Sequence, residues 1–179
     1  MLRSLLLWIY SLGSRARSQF WRMLGAAIGF GTRIGVGTIL SEPKKTVIGV
    51  HCRISRDCLL EATGGLTIGD HVGINRFAWF AGAGQIEIGD WVQIGPNVNL
   101  LSFSHSIVSR ATPIAMQKDH VGPITIHRDV WIGANVVVLP DTIIEEGVVV
   151  AANSVVSGRI PAFSVIGGAL AKVLRLRAL

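Results

Sequence analysis

Apolar residues recur every sixth position along most of this chain, and a period of six fits neither a helix, at 3.6 residues per turn, nor an ordinary strand, at two. The rungs are Ile28, Ile34 and Leu40, then Ile48, Ile54 and Leu60, then Ile68, Ile74 and Phe80, then Ile88, Ile94 and Leu100. The ladder resumes at Ile126, Ile132, Val138, Ile144, Val150 and Val156. A small or β-branched residue stands four after most rungs, as at Thr32, Cys52, Cys58, Ala78, Val98, Val136 and Ser154, and both sets are predicted to point inward. Glycine directly follows many rungs (Gly29, Gly35, Gly49, Gly69, Gly89, Gly95, Gly133), where a corner calls for positive φ or close backbone approach. A short strand and a turn every six residues make a coil of three flat faces. Stacked coils bury one continuous core that no single repeat could bury, so the expected fold is an all-β solenoid of about six coils.

The step from one coil to the next is eight residues after Leu40, Leu60 and Phe80, so one corner repeatedly carries two extra residues. That corner opens widely between Leu100 and Ile126. The predicted organisation is an N-terminal helical segment over 1–25, a solenoid domain over 26–160 with an extended loop at 101–123, and a tail over 161–179 that reads as a short basic coil or helix.

A chain of 179 residues can bury a sizeable core, and its formal net charge of +6 points to an anionic ligand, a phosphate-bearing cofactor or an acidic membrane surface. Nucleic acid is not an expected partner, because no basic stripe interleaved with aromatics and no nucleic-acid module is visible. Cys52 and Cys58 both fall on the small inward position and read as buried thiols rather than a disulfide or a metal knuckle.

Residues 1–25 mix apolar residues with Arg3, Arg15, Arg17 and Arg22, and their uninterrupted apolar run is too short to span a bilayer. They read as a retained segment with two competing roles. Leu2, Leu5, Leu6, Ile9 and Leu12 would form one apolar helical face, with Trp8, Tyr10 and Trp21 as interfacial residues and the arginines facing anionic lipid. On that reading residues 1–24 hold the protein peripherally against the cytoplasmic face of the inner membrane; on the other, the same face caps the open end of the first coil.

The interruption, LSFSHSIVSRATPIAMQKDHVGP, carries two histidines, His105 and His120. Long excursions from a regular scaffold are where function concentrates. An imidazole there suits proton abstraction from a hydroxyl near neutral pH.

The repeat as a whole resembles the hexapeptide-repeat acyltransferases, whose fold is a left-handed parallel β-helix. IEIGDWVQIGPNVNLLSFSHSI is similar to the segment of galactoside, maltose and Nod-factor O-acetyltransferases that leads into the catalytic histidine, which falls on His105. VGINRFAWF places the family's acceptor-side Asn at Asn75, and PITIHRDVWIGANVVVLPDTIIEEGVVVAANSVVSGRIPAFSV followed by KVLR is similar to the acetyl-CoA-binding stretch. The resemblance implies that Trp131, Gly133, Ala134 and Ala152 line the pantetheine groove and that Ser157, Lys172 and Arg175 meet the nucleotide phosphates. Two departures stand out: Gly158 replaces the family's usual Lys, with Arg159 as its substitute, and the usual GNPAK is GALAK, which leaves the path of the tail open.

The resemblance further implies acetyl-CoA as donor substrate with no metal, a homotrimer with its sites between subunits, and a cytoplasmic location. The start of the chain is similar to capsule, colanic-acid and O-antigen O-acetyltransferases, so the implied acceptor is a carbohydrate hydroxyl of a bacterial surface polysaccharide or glycan precursor. An amino-sugar N-acetyltransferase, a free-sugar enzyme and a xenobiotic acetyltransferase are the alternatives. A zinc hydratase on the same fold would need three converging histidines, and no pair of histidines five apart follows the loop. A non-catalytic scaffold is not expected to keep His105, Asn75 and the groove pattern together.

Overall fold

The computed structural model describes residues 13–178. Its first element is helix α1 (Ser14–Met23), and the chain then winds through coils whose strands, of two to four residues, stack in parallel on those of the next coil. Three sheets form the faces. Sheet A runs β1 (Ala27–Ile28), β4 (Thr46–Ile48), β7 (Leu66–Ile68), β10 (Ile86–Ile88), β15 (Ile124–Ile126), β18 (Thr142–Ile144) and β21 (Arg159–Ile160). Sheet B runs β2 (Arg33–Ile34), β5 (Arg53–Ile54), β8 (Gly73–Ile74), β11 (Gln93–Ile94), β16 (Trp131–Ile132), β19 (Val149–Val150) and β22 (Ser164–Gly167). Sheet C runs β3 (Ile39–Leu40), β6 (Leu59–Glu61), β9 (Trp79–Ala81), β12 (Asn99–Leu101), β17 (Val137–Val138) and β20 (Val155–Val156). This is the left-handed parallel β-helix.

Every rung of the ladder lies buried in the core, with Ile34, Leu60, Phe80, Leu100 and Val138 at 0% exposure. The small positions four residues later are buried too, Cys52 and Cys58 included, and both thiols are free. Burial pushes both thiol pKa values up, and the Sγ atoms donate to the carbonyls of Gly69 and Asn75 at 3.1 and 3.2 Å.

Of the two reasons expected for glycine at the corners, close backbone approach is the one that holds. The glycines after the rungs do not take positive φ; they are small because the next coil lies against them, a Cβ on Gly29 falling 2.5 Å from the Gly49 carbonyl carbon. The left-handed residue is the third after the rung: His51, Asp57, His71, Phe77, Trp91, Asn97, Asp129, Asn135 and Asn153 all have φ between +55° and +63°.

The solenoid has about seven turns rather than six. After Val156 the chain steps only four residues to Ile160 and then six to Ile166, so a strict six-residue count stops one coil early. The tail is neither helix nor loose coil: β23 (Lys172–Leu176) pairs antiparallel with β22 and covers the last edge of sheet B.

At the other end α1 caps the first coil. Among the described residues no earlier coil donates to the carbonyls of the first, and α1 supplies the donors: Arg17 Nε to Ile34 O at 2.9 Å, Ser18 Oγ to Thr32 O at 2.9 Å, and Arg22 to Ile28 O and Gly29 O at 2.8 Å each. Trp21, expected at a lipid interface, is buried in the core at 8% exposure. Leu2, Leu5, Leu6, Trp8, Ile9, Tyr10 and Leu12 lie outside the described residues, and no described helix is long and apolar enough to cross a membrane.

Candidate functional site

The long loop leaves the corner between sheets C and A, where the sequence shows its widest gap. Its base is held by β13 (Phe103–Ser104) paired antiparallel with β14 (His120–Val121). Beneath it, fully buried Ser102 accepts from Gly84 N at 2.9 Å and donates to Ala81 O at 2.8 Å. Farther out, Gln117 staples the excursion: its Nε2 donates to Ser109 O and Thr112 O at 2.9 and 2.8 Å, and its Oε1 accepts from Ser109 N at 3.1 Å. The loop therefore has its own internal support despite standing off the core.

That support brings His105 against Asp119, with Nδ1 2.8 Å from Oδ1. With Nδ1–H donated to the carboxylate, Nε2 is the lone-pair nitrogen of a ring whose side chain is 66% exposed. His120 pairs instead with Asp141, Nε2 to Oδ2 at 2.5 Å, and so ties the loop's base to the corner of the next coil. The two histidines thus differ in what their carboxylates connect: one pair lies within the loop, the other anchors it. Asp119 and Gln117 escaped the sequence reading, because the pairing depends on β13 meeting β14.

The remaining sequence-predicted residues fall into separate groups. Asn75 is exposed at the sheet B to sheet C corner of the third coil, and its backbone does not take positive φ; Phe77 holds that conformation in its turn. His105 leaves a different corner, with sheet C between the two. Gly133, Ala134 and Ala152 share the Asn75 corner higher up. Gly133 is buried and small because a Cβ would meet Ala152 N at 2.6 Å. Beside them runs a ladder the sequence reading did not single out, Asn97 to Asn135 at 3.1 Å and Asn135 to Asn153 at 3.0 Å. The recurrence of Asn three after a rung was its available signal.

Trp131, 57% exposed, points outward from sheet B. Its cross-strand row continues through Val149 and Val165 to Arg175, so these two predicted residues share one face about 14 Å apart, at roughly 4.8 Å per strand. Lys172 lies on the same edge strand opposite Gly167. Ser157 is exposed at the corner that carries the loop, two coils on, and Arg159 stands on sheet A bonded to Glu145 at 2.6 Å. His127 lies 3.6 Å from the same glutamate, and His51 and His71 stack on one another at corners of successive coils. Among the described residues no three His, Cys, Asp or Glu side chains converge as a metal-ligand set.

A parallel β-helix with one histidine-bearing loop defines a class, and the comparisons with known proteins agree with it. Residues 123–158 match the family described as bacterial transferase hexapeptide (six repeats). The hexapeptide-repeat containing acetyltransferase VCA0836 of Vibrio cholerae is 31% identical, with 97% of this chain and 86% of that one covered and a TM-score of 0.72. This chain belongs to the hexapeptide-repeat transferase family.

WbbJ of Escherichia coli, named for lipopolysaccharide biosynthesis O-acetyl transfer, is 47% identical over 76 residues, which are 41% of this chain and 39% of WbbJ. The chain therefore matches about two fifths of that relative's length. AntD of Bacillus cereus, an N-acyltransferase solved with dTDP and coenzyme A, is 20% identical with 89% of each chain covered and a TM-score of 0.78, a likeness of fold.

Proposed function

We propose that this protein is an acetyl-CoA-dependent O-acetyltransferase acting on a sugar hydroxyl of a bacterial surface polysaccharide or glycan precursor. The observation that carries the reading is the His105–Asp119 pair, held on a braced loop with Nδ1 engaged and the ring exposed. The Vibrio cholerae relative has been solved with acetyl coenzyme A, and WbbJ's name supports a surface-glycan hydroxyl as acceptor.

In this mechanism His105 Nε2 takes the acceptor's hydroxyl proton as that oxygen attacks the thioester carbonyl. The tetrahedral intermediate collapses with cleavage of the C–S bond, and the imidazolium returns its proton to the departing thiolate. Asp119 holds the Nδ1–H and steadies the transient charge. No acetyl-enzyme forms, in keeping with two cysteines buried in the core.

Asn75 binds the acceptor, and Trp131, Gly133, Ala134, Ala152, Ser157, Arg159, Lys172 and Arg175 bind acetyl-CoA. His105 and Asn75 stand at different corners of one chain, which motivates a homotrimer in which one subunit's loop faces the neighbour's Asn75. The enzyme works in the cytoplasm, where acetyl-CoA is made. Peripheral membrane contact through residues 1–24 is not needed, since the described part of that segment serves as a cap.

The test is acetyl-CoA turnover against a panel of sugars, glycans and amino sugars, with sedimentation equilibrium alongside. Hydroxyl acetylation that His105→Ala lowers by about 10² to 10⁴ at unchanged acetyl-CoA affinity supports the proposal. Exclusive amine acetylation, or a monomer at active concentrations, would overturn it.

A further inference from the structure

Two surface cavities lie side by side where sheet B begins, and both are lined by arginine. One, of about 420 Å³, is bounded by Arg33, Arg53, Arg56 and Arg76 together with Asn75 and Ser14 of α1. The other, of about 370 Å³, shares Arg33 and adds Arg15, Arg22, Phe30 and His51. In the linear sequence these arginines are scattered, and the 20-residue coil collects them. Arg33 is the register partner of Arg53 on the next strand, about 4.8 Å away. Arg56 and Arg76 occupy the same turn position in successive coils. Phe30 and His51 line the second cavity, meeting edge-on, and the aromatic row continues along that corner beyond it, His51 stacking on His71 and His71 on Trp91 with centroids 4.0 Å apart.

Like charges placed directly opposite one another destabilise a sheet. Acidic compensation is slight. Arg22 is committed to the Ile28 and Gly29 carbonyls and Arg56 to Asp57 at 2.7 Å. Among the described residues Arg15, Arg33, Arg53 and Arg76 make no ion pair or side-chain hydrogen bond. Stacked guanidinium forks with free donors on a concave surface are matched to phosphate oxygens, which accept two parallel N–H bonds from each fork.

We propose that this groove binds the phosphate or diphosphate of the acceptor, so that the acetylated sugar is a phosphate-linked one presented to Asn75 at the groove's edge. The assignment of the ligand as acceptor rests on the function proposed above; the anion site itself does not. Arg33 and Arg53 grip the phosphoryl oxygens, Arg76 reaches from the next coil, and the sugar extends toward the corner that holds Asn75.

The experiment is calorimetric titration of the full chain with inorganic pyrophosphate at low salt. Saturable binding is expected. The double variant Arg33→Gln/Arg53→Gln should weaken it by about tenfold or more, since each arginine contributes charge-assisted bonds. Its melting temperature should be unchanged or raised, because both side chains are exposed and their mutual repulsion is gone. Acetyl-CoA affinity should not change. Displacement of pyrophosphate at lower concentration by UDP than by farnesyl diphosphate in phosphatidylcholine vesicles identifies a nucleotide-linked acceptor, and the reverse order a lipid-linked one.

Absence of binding, binding indifferent to the double variant, displacement by acetyl-CoA, or tighter binding of a single-stranded oligonucleotide than of either diphosphate would each overturn the proposal. Failure of the acetyltransferase reading would show separately, as pyrophosphate binding that depends on Arg33 and Arg53 in a protein that transfers no acetyl group.

Discussion

Asp119 tests whether the loop histidine is positioned or merely present. The bond to His105 Nδ1 is 2.8 Å long, and the two side chains are 66% and 44% exposed, so the Coulombic part belongs to the range of solvent-screened pairs, about 0.2 to 1 kcal/mol. That alone is at most about fivefold in rate. Asp119→Asn keeps an oxygen that can accept the Nδ1–H, so it should lower kcat by no more than about fivefold. Asp119→Ala also releases the ring. Loss of a hydrogen bond to a charged group, about 1.5 kcal/mol at the lower end suited to an exposed pair, brings the expected loss to about tenfold or somewhat more. Both should fall well short of His105→Ala, at about 10² to 10⁴.

Coupling is the decisive readout, because residues that act as one unit are not additive. In the His105→Ala background, Asp119→Ala should cost nothing further. The assay is steady-state release of coenzyme A thiol with a competent acceptor, and the variants should melt at the wild-type temperature since Gln117, not Asp119, braces the loop. Independent, multiplying losses in the double variant would refute the positioning argument. So would an Asp119→Ala loss equal to that of His105→Ala.

Arg17→Met should destabilise the protein by about 1 to 3 kcal/mol in urea, because it strips the Ile34 carbonyl of its donor at the open end, whereas exposed Arg15→Met should change stability by no more than about 0.5 kcal/mol. Cys52 and Cys58 have folded-state pKa values raised by burial, so the unfolded thiols ionise first: their contribution is intact below about pH 8.5 and is lost as pH rises beyond it. Cys52→Ala/Cys58→Ala should flatten that alkaline decline in denaturation midpoints, and rapid labelling of the native thiols by a thiol reagent would contradict their burial.

The six-residue ladder determined the solenoid by itself, since period six leaves strand, turn and strand again as the only regular way to bury each rung. It located the loop as well, because a break in a strict period is visible without coordinates. Local count failed only where the period changed: the four-residue step before Ile160 hid the last coil, and the GALAK segment did not announce that the tail would return as an antiparallel strand. His105 was legible as one of two loop imidazoles, singled out by the resemblance of the segment that leads into it, but its partner Asp119 was not, because sequence cannot tell which of two histidines meets which of several acids when pairing depends on β13 closing on β14.

The arginines show the same limit on a larger scale. Arg17 and Arg22 look like lipid-facing charges on an isolated helix and become donors to orphan carbonyls only once a first coil lies beside them. Arg33, Arg53, Arg56 and Arg76 form no basic run along the chain, yet the coil repeat of 20 residues converts their spacing into one surface. Periodic burial is a property of each residue and its near neighbours, so sequence encodes it directly. Juxtaposition across coils is set by register, and register exists only after the solenoid has closed.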